Sequence, residues 1–305
     1  MNWAKRGLIY CPDGRHGWDR SYAHLPTAYG VDSVTLRIYF ASLDEQKYGR
    51  IGCIDVDGEN PSQILRIHPE PVLDLGEPGT FDDAGVNPSC VMNRGGDIYL
   101  YYVGWQRSHR VPYLLFAGLA VSSNGVRFRR FSRTPVLERT AEEPFIRSAV
   151  TIIVDNGTFR CWYVSARGWT TIDDQQYPEY VIRYAESADG LRWKAYEHIC
   201  IPVVGDEFGI GRPWVVQDGK LYRMWYSIRS RVEPYRIGYA ESSDGLQWTR
   251  KDDMSGLCRS ETGWDSEMIC YPCVYDFAHH RYVFYNGNRH GSTGFGYAVG
   301  DAHGG

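Results

Sequence analysis

One aromatic-rich phrase occurs five times along the 305-residue chain. The five triplets are Ile38-Tyr39-Phe40, Leu100-Tyr101-Tyr102, Cys161-Trp162-Tyr163, Met224-Trp225-Tyr226 and Val283-Phe284-Tyr285. Their last residues lie 62, 61, 63 and 59 positions apart. Aromatic residues favour the pleated, half-buried environment of a strand, and a repeat of this length is typical of one β-propeller blade. The repeat therefore predicts an all-β fold that is built from similar units.

A second phrase follows the triplet in three of the repeats and ends in Asn124-Gly125, Asp189-Gly190 or Asp244-Gly245. Such dipeptides between alternating strands indicate tight hairpins, because both central residues of a type I′ turn need positive φ. The fifth repeat stops before its outer strand, and residues 3–12 are similar to the outer-strand segment 193–202. We expect the N-terminal strand to complete the last blade, which removes an exposed sheet edge.

These patterns predict one five-bladed β-propeller domain over residues 1–305. The expected blades cover 13–70, 71–135, 136–200, 201–258 and 259–305 with 1–12. A net charge of −4 provides no basic field for binding nucleic acid. No apolar run reaches the length of a membrane span, and no signal peptide pattern is present, so a cytoplasmic protein is expected. The eight scattered cysteines and the absence of known motifs suggest neither a metal site nor a cofactor.

Acidic loops precede all five predicted inner strands. Because these strands begin at the same end of the central channel, we expect their acids to meet in a carboxylate-lined funnel. Two carboxyl groups, one acid and one base or nucleophile, are what glycoside cleavage requires, and crowding separates their pKa values. The alternative is that such acids cap turns or pair with arginine. The predicted catalytic residues are Asp19, Asp83, Glu143, Glu207 and Asp265.

Further residues are predicted to bind the substrate. Arg147 and Arg212 occupy matching places before two inner strands, and they either hold an anionic part of the substrate or neutralise the acids. Trp105 and Arg229 follow middle strands, at the end of the molecule where the long insertions 106–113 and 170–180 lie. The remaining predicted contacts are His24, Asp82, Asn87, Glu267, Asn286 and His290.

Three motifs carry a resemblance to a known group of proteins. They are Phe81-Asp82-Asp83-Ala84-Gly85-Val86-Asn87-Pro88-Ser89, Gly263-Trp264-Asp265-Ser266-Glu267-Met268 and Phe284-Tyr285-Asn286-Gly287-Asn288. With the repeat, they resemble the five-bladed glycoside hydrolases of the arabinanase, β-xylosidase and invertase type and their relatives, the β-mannoside phosphorylases (families 43, 32 and 130). They are most similar to a glycosidase-like group associated with bacterial surface-polysaccharide synthesis.

The resemblance implies roles for the acids of the first three blades. A first-blade aspartate would be base or nucleophile, a second-blade aspartate would orient the sugar, and a third-blade glutamate would be the acid. By position these roles fall on Asp19, on Asp83 or Asp82, and on Glu143 or Glu142. The chain departs from the pattern because it lacks the invertase signature Trp-Met-Asn-Asp-Pro.

The leading hypothesis is a carbohydrate-active enzyme that cleaves or transfers a glycosyl group with two of these carboxylates. One alternative is a phosphorylase or glycosyltransferase that uses a phosphate-bearing donor. Another is a propeller that binds carbohydrate without turnover, in which aromatic side chains supply the sugar contacts. The expected partner is a carbohydrate or glycoconjugate, and its charge is left open.

Overall fold

The computed structural model of the chain describes residues 2–301, and these residues are almost entirely β-strand. The strands pair antiparallel in consecutive groups. The first group holds β2 (Ser21–Gly30), β3 (Thr35–Leu43), β4 (Gly49–Asp57) and β5 (Ile64–Ile67). The second holds β6 (Gly85–Arg94), β7 (Asp97–Arg107), β8 (Tyr113–Ser122) and β9 (Arg129–Arg130). The third holds β10 (Arg147–Asp155), β11 (Thr158–Ile172), β12 (Gln175–Ser187) and β13 (Lys194–Ile201).

The rest of the described chain continues in the same way. The next group holds β14 (Glu207–Asp218), β15 (Leu221–Ser230), β16 (Arg236–Ser242) and β17 (Thr249–Arg250). The last sheet holds β18 (Cys270–Phe277), β19 (His280–Asn286), β20 (Phe295–Asp301) and the N-terminal strand β1 (Ala4–Tyr10). β1 pairs antiparallel with β20, with Ala4 opposite Val299. The helical segments of residues 2–301 are a 3₁₀ turn, Asp252–Met254, and one short turn, Asn288–Gly291, so no helix there is long enough to cross a membrane.

The two repeated phrases of the sequence contact each other between neighbouring groups. The middle aromatic residue of a triplet donates a side-chain hydrogen bond to the carbonyl of the hairpin glycine in the next group. The three contacts are Tyr39 with Gly125 (2.8 Å), Tyr101 with Gly190 (3.0 Å) and Trp162 with Gly245 (2.8 Å). Buried hydroxyl and indole groups need such partners. The spacing of the repeat therefore reflects a contact that recurs from one group to the next.

The prediction of type I′ hairpins is wrong. Gly125 has a φ of 71°, but Asn124 is not among the residues with positive φ, although a type I′ turn needs both. The Asn124 side chain instead accepts hydrogen bonds from the amides of Val126 and Arg127, at 3.0 and 3.1 Å. Aspartate and asparagine commonly organise loops in this way. Asp189 and Asp244 bond to the amides that follow them in the same pattern.

The first and last groups pack side by side. The amide of Ala28 donates to Cys273 Sγ at 3.3 Å, and the amide of Gly30 donates to the Tyr275 hydroxyl at 2.8 Å. The fully buried Asn286 donates to the Ala23 carbonyl at 2.6 Å, and its Oδ1 accepts from the Leu25 amide at 2.8 Å. Side-chain contacts thus join the first group to the last, and no strand pairing is found between these two groups in the described chain. Asn286, which was predicted to bind substrate, is occupied by these bonds.

Candidate functional site

A central pocket of about 560 Å³ opens where the first strands of the groups meet. We call β2, β6, β10, β14 and β18 the inner strands. Each contributes wall residues from the N-terminal part of the strand, including His24, Asn87, Ala149, Arg212 and Tyr271. The volume is within the usual range for a small-molecule site. Residues that are far apart in sequence therefore share one cavity, as the sequence predicted.

The inner strands are irregular at the points where they reach the central pocket. The antiparallel register shifts between Ser148 and Thr151, between Gly211 and Trp214, and at matching places in the other inner strands. Five wall residues there have positive φ although they are not glycine, namely Tyr22 (67°), Leu25 (52°), Ala149 (49°), Arg212 (52°) and Tyr271 (57°). Bulges redirect side chains, and backbone strain of this kind clusters at functional sites. The repeated bulge therefore forms the wall.

Aromatic rings cover much of the central pocket. The Tyr22 ring stacks on His24 with centroids 4.5 Å apart, and Trp105 packs against Tyr113 at 4.6 Å. Such rings provide a rigid apolar surface with a polar edge. The other tyrosines of the wall are Tyr177, Tyr180, Tyr235 and Tyr271.

Arg212 forms part of the pocket floor. Its side chain is 2% exposed, donates to the Ser89 carbonyl at 2.5 Å and donates to the Thr27 hydroxyl at 2.8 Å. It therefore ties β14 to β6 and β2. Burial lowers the pKa of Arg212 to about 10, so the guanidinium is charged at neutral pH. No carboxylate of residues 2–301 lies within ion-pair distance of it.

Arg229 enters the pocket from β15 and is 6% exposed. Its guanidinium lies over the rings of Phe208, Tyr180, Tyr177 and Tyr235, at 4.6, 5.2, 5.5 and 5.8 Å from the ring centroids. Its Nε has no hydrogen-bond partner, and it forms no ion pair with a described residue. Burial opposes its charge, but the tyrosine hydroxyls around it leave its pKa above the ordinary value. Cation–π attraction stabilises the charged form as well.

Two histidines of the pocket contact each other, and one of them, His290, lies near this arginine. The Nδ1 of His24 is 2.5 Å from the His290 carbonyl oxygen, and His290 packs edge-on against Tyr235 with centroids 4.7 Å apart. Burial lowers the pKa of His24 to about 4. Burial, together with Arg229, lowers the pKa of His290 to about 4 as well. Both imidazoles are therefore neutral at pH 7.

Six of the predicted substrate-binding residues line the central pocket. In the amide orientation that satisfies both groups, Asn87 accepts a hydrogen bond from the Trp105 indole at 2.8 Å and donates to the Val86 carbonyl at 3.0 Å. The six are His24, Asn87, Trp105, Arg212, Arg229 and His290. The other predicted contacts lie outside the wall: Arg147 pairs with Glu143, Glu267 is exposed, and Asp82 and Asn286 are buried in hydrogen-bond networks.

The predicted carboxylate-lined funnel is not found, since no aspartate or glutamate is among the described residues of the pocket wall. Three of the acids instead share one buried arrangement. Each accepts a hydrogen bond from the tyrosine that ends the aromatic triplet 20 residues later, and each pairs with a cation. The contacts are Asp82 with Tyr102 (2.8 Å) and Arg130 (2.7 Å), Glu143 with Tyr163 (2.7 Å) and Arg147 (3.1 Å), and Asp265 with Tyr285 (2.9 Å) and Lys5 (2.6 Å).

The other predicted acids are also engaged away from the wall. Glu207 accepts two hydrogen bonds from Arg250 at 2.8 Å. A carboxylate oxygen of Asp19 accepts a hydrogen bond from the His16 amide, and the other lies 3.0 Å from the His16 ring nitrogen Nδ1. Asp19 has no tyrosine partner of the kind described above, because the first triplet ends in Phe40, which has no hydroxyl. Asp83 is half-buried and accepts from a loop amide. Buried carboxylates need such partners. The geometry matches the alternative interpretation, in which these acids cap loops or pair with cations. A catalytic role for them stays a prediction, and their positions do not support it.

The sequence did hold a signal for some wall residues that were missed. A wall residue directly precedes proline in four of the inner strands. These pairs are Leu25-Pro26, Asn87-Pro88, Arg212-Pro213 and Tyr271-Pro272. Tyr177 and Tyr180 belong to the insertion 170–180, whose length alone suggested a function. Within residues 2–301, no three His, Cys, Asp or Glu side chains are grouped to hold a metal ion.

The chain has similar relatives among known proteins, although no family model matches it. It is 40% identical over 300 residues to Uncharacterized protein Rv1502 of Mycobacterium tuberculosis (strain ATCC 25618 / H37Rv), and the matched segment covers 98% of this chain and 99% of that protein. It is 32% identical over 156 residues to a 1,2-beta-oligomannan phosphorylase of Thermoanaerobacter sp. (strain X514), and the matched segment covers 47% of this chain and 49% of that protein.

Solved structures with the same fold are glycoside hydrolases. A thermostable family-43 glycoside hydrolase superposes with a TM-score of 0.71 at 17% identity, covering 93% of this chain and 91% of that one. A GH32 beta-fructofuranosidase of Bombyx mori gives 0.66 at 14% identity, covering 98% and 61%. Another glycoside hydrolase gives 0.73 at 18% identity, covering 99% and 92%. The resemblance to propeller glycosidases is confirmed, and at these identities it shows the fold alone.

Proposed function

The chain belongs to the same family as Mycobacterium tuberculosis Rv1502, whose name states no activity. We therefore propose a function from the geometry of the central pocket. It is a carbohydrate-active enzyme, and its saccharide substrate binds in this pocket. The observation that carries the proposal is the wall itself, in which tyrosine rings and the Trp105 ring share one cavity of about 560 Å³ with imidazole, amide and guanidinium groups.

The chemistry of the wall suits a saccharide. Sugar rings present C–H faces that pack on aromatic side chains, and their hydroxyl groups need fixed polar partners. Trp105 and Tyr113 supply a packed aromatic pair, while Asn87 and the two neutral histidines supply polar groups. The glycoside hydrolases that share the fold support this assignment.

The proposal includes a single domain of five blades that closes on itself. Closure would come from the packing of the first group against the last, for which the bonds of Asn286 and Tyr275 provide support. A closed ring has no exposed sheet edges. Such closure would hold the inner strands at fixed distances around the pocket, which a substrate site requires.

We propose that the reaction is transfer of a glycosyl group to or from phosphate, or from a phosphate-bearing donor. Hydrolysis by two carboxylates needs both beside the scissile bond, whereas the described wall has Arg212 and Arg229 as its buried charged groups. Guanidinium groups suit phosphate oxygens. The similarity of about half the chain to an oligomannan phosphorylase points in the same direction. A cytoplasmic role in polysaccharide synthesis, where such donors occur, completes the proposal.

The test is a comparison of turnover with and without phosphate. Purified protein is incubated with β-linked manno-oligosaccharides and other oligosaccharides, and sugar 1-phosphate and free reducing sugar are measured separately. Phosphate-dependent release of a sugar phosphate is expected, with a loss of saccharide binding in Trp105→Ala. Release of free sugar at the same rate without phosphate would contradict the transfer reaction.

A second candidate is a propeller that binds saccharide without turnover. The observation in its favour is that the described pocket wall has no carboxylate to act as acid or base. Its signature would be saccharide binding that depends on Trp105 in a protein that leaves every bound saccharide intact in a prolonged incubation. Any catalytic turnover that Trp105→Ala reduces would exclude this candidate.

A further inference from the structure

The arginines of this protein that are more than nine-tenths buried fall into two classes. Three of them pair with carboxylates: Arg37 with Asp55 at 2.6 Å, Arg147 with Glu143 at 3.1 Å, and Arg281 with Asp218 and Asp276 at 2.6 Å. The other two, Arg212 and Arg229, have no carboxylate partner among residues 2–301, and both line the central pocket. The same fold therefore compensates its buried guanidinium groups everywhere except at the pocket.

The difference matters because a buried charge without an opposite charge is costly. Arg212 is partly compensated, since it donates to two neutral oxygens, of Ser89 and Thr27. Arg229 has only the faces of the four surrounding rings, and its Nε lacks a hydrogen-bond partner. The Nε of Arg212 also lacks a partner, but both of its terminal nitrogens donate, whereas no guanidinium nitrogen of Arg229 has a hydrogen-bond partner within the described chain.

The charged side chains of the wall that belong to residues 2–301 all have one sign. Lys47 lies at the exposed edge, with its ammonium group over the Tyr22 ring at 5.8 Å, and the inner cations are Arg212 and Arg229. His24 and His290 are neutral at pH 7, because burial lowers the pKa of each to about 4. A concave site with only positive charges and low-dielectric walls concentrates anions.

We propose that the ligand of the central pocket carries an anionic oxygen group, a carboxylate or a phosphate, that pairs with the Arg229 guanidinium. The inference rests on the proposed function, since it specifies the class of saccharide or co-substrate that the pocket takes. Both kinds of oxyanion match the planar donor fork of arginine. Arg212 contributes its field from the floor, while Arg229 makes the direct contact.

The test is binding, measured by titration calorimetry, of matched neutral and charged sugars. The probes are mannose, glucose and galactose, each compared with its 1-phosphate and its uronic acid, and inorganic phosphate alone. At least one charged sugar is expected to bind about tenfold or more tightly than its neutral form, as a charge-assisted hydrogen bond provides. Competition by inorganic phosphate identifies the anion as free phosphate, and preference for the uronic acid identifies it as a carboxylate. Each of these results supports the pairing.

Three variants locate the effect. Arg229→Met keeps an unbranched side chain among the rings and is expected to abolish the preference for charged probes, while Arg229→Lys retains part of it. Arg231→Met is the matched control, because Arg231 is an exposed cation two residues further on that also lies over Phe208, at 5.9 Å, but outside the pocket wall. It should bind like the wild type. If Arg229→Met does not fold, the salt dependence of charged-probe binding by the wild type and by Arg229→Lys replaces it.

The outcomes separate this inference from the proposed function. Neutral sugars that bind as tightly as charged ones, with no change in Arg229→Met, would overturn the anion pairing and leave the saccharide site intact. Binding of inorganic phosphate that is lost in Arg229→Met, without binding of any sugar, would uphold the pairing and overturn the saccharide function. Failure of every probe to bind would overturn both.

Discussion

Glu143→Gln distinguishes a structural from a catalytic role for the acid of the third group. The Glu143 side chain is 4% exposed, accepts a hydrogen bond from the Tyr163 hydroxyl at 2.7 Å and lies 3.1 Å from Arg147 Nε. The substitution keeps the size of the side chain but leaves Arg147, itself 3% exposed, without a carboxylate. Removing one partner of a buried ion pair costs about 3–5 kcal/mol of unfolding free energy.

The surroundings of Arg147 place the expected loss at the lower end of that range. Its guanidinium also donates to the Glu138 carbonyl at 2.5 Å and to the Tyr163 hydroxyl at 3.3 Å, and it lies over the Tyr163 ring. We therefore expect Glu143→Gln to lower the free energy of unfolding by about 3 kcal/mol. Tyr163→Phe should lower it by about 1.5–3 kcal/mol, as expected for a hydrogen bond to a charged group.

The assay is urea unfolding of the two single variants and of the double variant. Because both residues belong to one network, the losses should be less than additive in the double variant. Saccharide binding should be unchanged at temperatures where the variants are folded, since Glu143 is outside the pocket wall. A stability loss below about 1 kcal/mol, together with a 10²-fold or larger loss of turnover, would refute the structural interpretation and restore Glu143 as a catalytic acid.

Two further predictions concern the hairpin glycines and the pocket histidines. Gly125→Ala should destabilise the fold more than Gly157→Ala. Both glycines have positive φ (71° and 79°), so the backbone strain is similar. At Gly125 the new methyl group would lie 2.9 Å from the Tyr39 hydroxyl, whereas at Gly157 it would enter open space. Equal losses of stability in thermal unfolding would mean that the methyl contact contributes nothing and that each variant pays only the backbone strain of positive φ, about 1–2 kcal/mol. Because burial holds the pKa of His24 and His290 at about 4, below their ordinary value of 6.5, the unfolded chain binds more protons between these pH values. Stability should therefore fall as the pH drops from 6.5 to 4, and a His24→Gln variant should lose part of this slope in urea titrations; an unchanged slope would contradict neutral burial.

The sequence by itself determined the repeated all-β architecture. The aromatic triplets, spaced by about 60 residues, and the Asx-Gly dipeptides are local features, and they correctly indicated strands and loops because both depend on nearby residues. The same periodicity indicated that inner-strand ends meet, and His24, Asn87, Trp105, Arg212, Arg229 and His290 do line one pocket. The contact between Tyr39 and Gly125 explains why the two phrases recur together.

Only the tertiary structure decided which charged groups face that pocket. In the sequence, Arg147 and Arg212 occupy matching places before an inner strand, yet Arg147 pairs with Glu143 in the interior while Arg212 reaches the pocket floor. Strand alternation assigns a side chain to a face only while the register is regular, and a bulge interrupts each inner strand at the wall. Whether a buried charge is compensated depends on neighbours that folding brings together, so the unpaired Arg229 could be recognised only after the chain was folded.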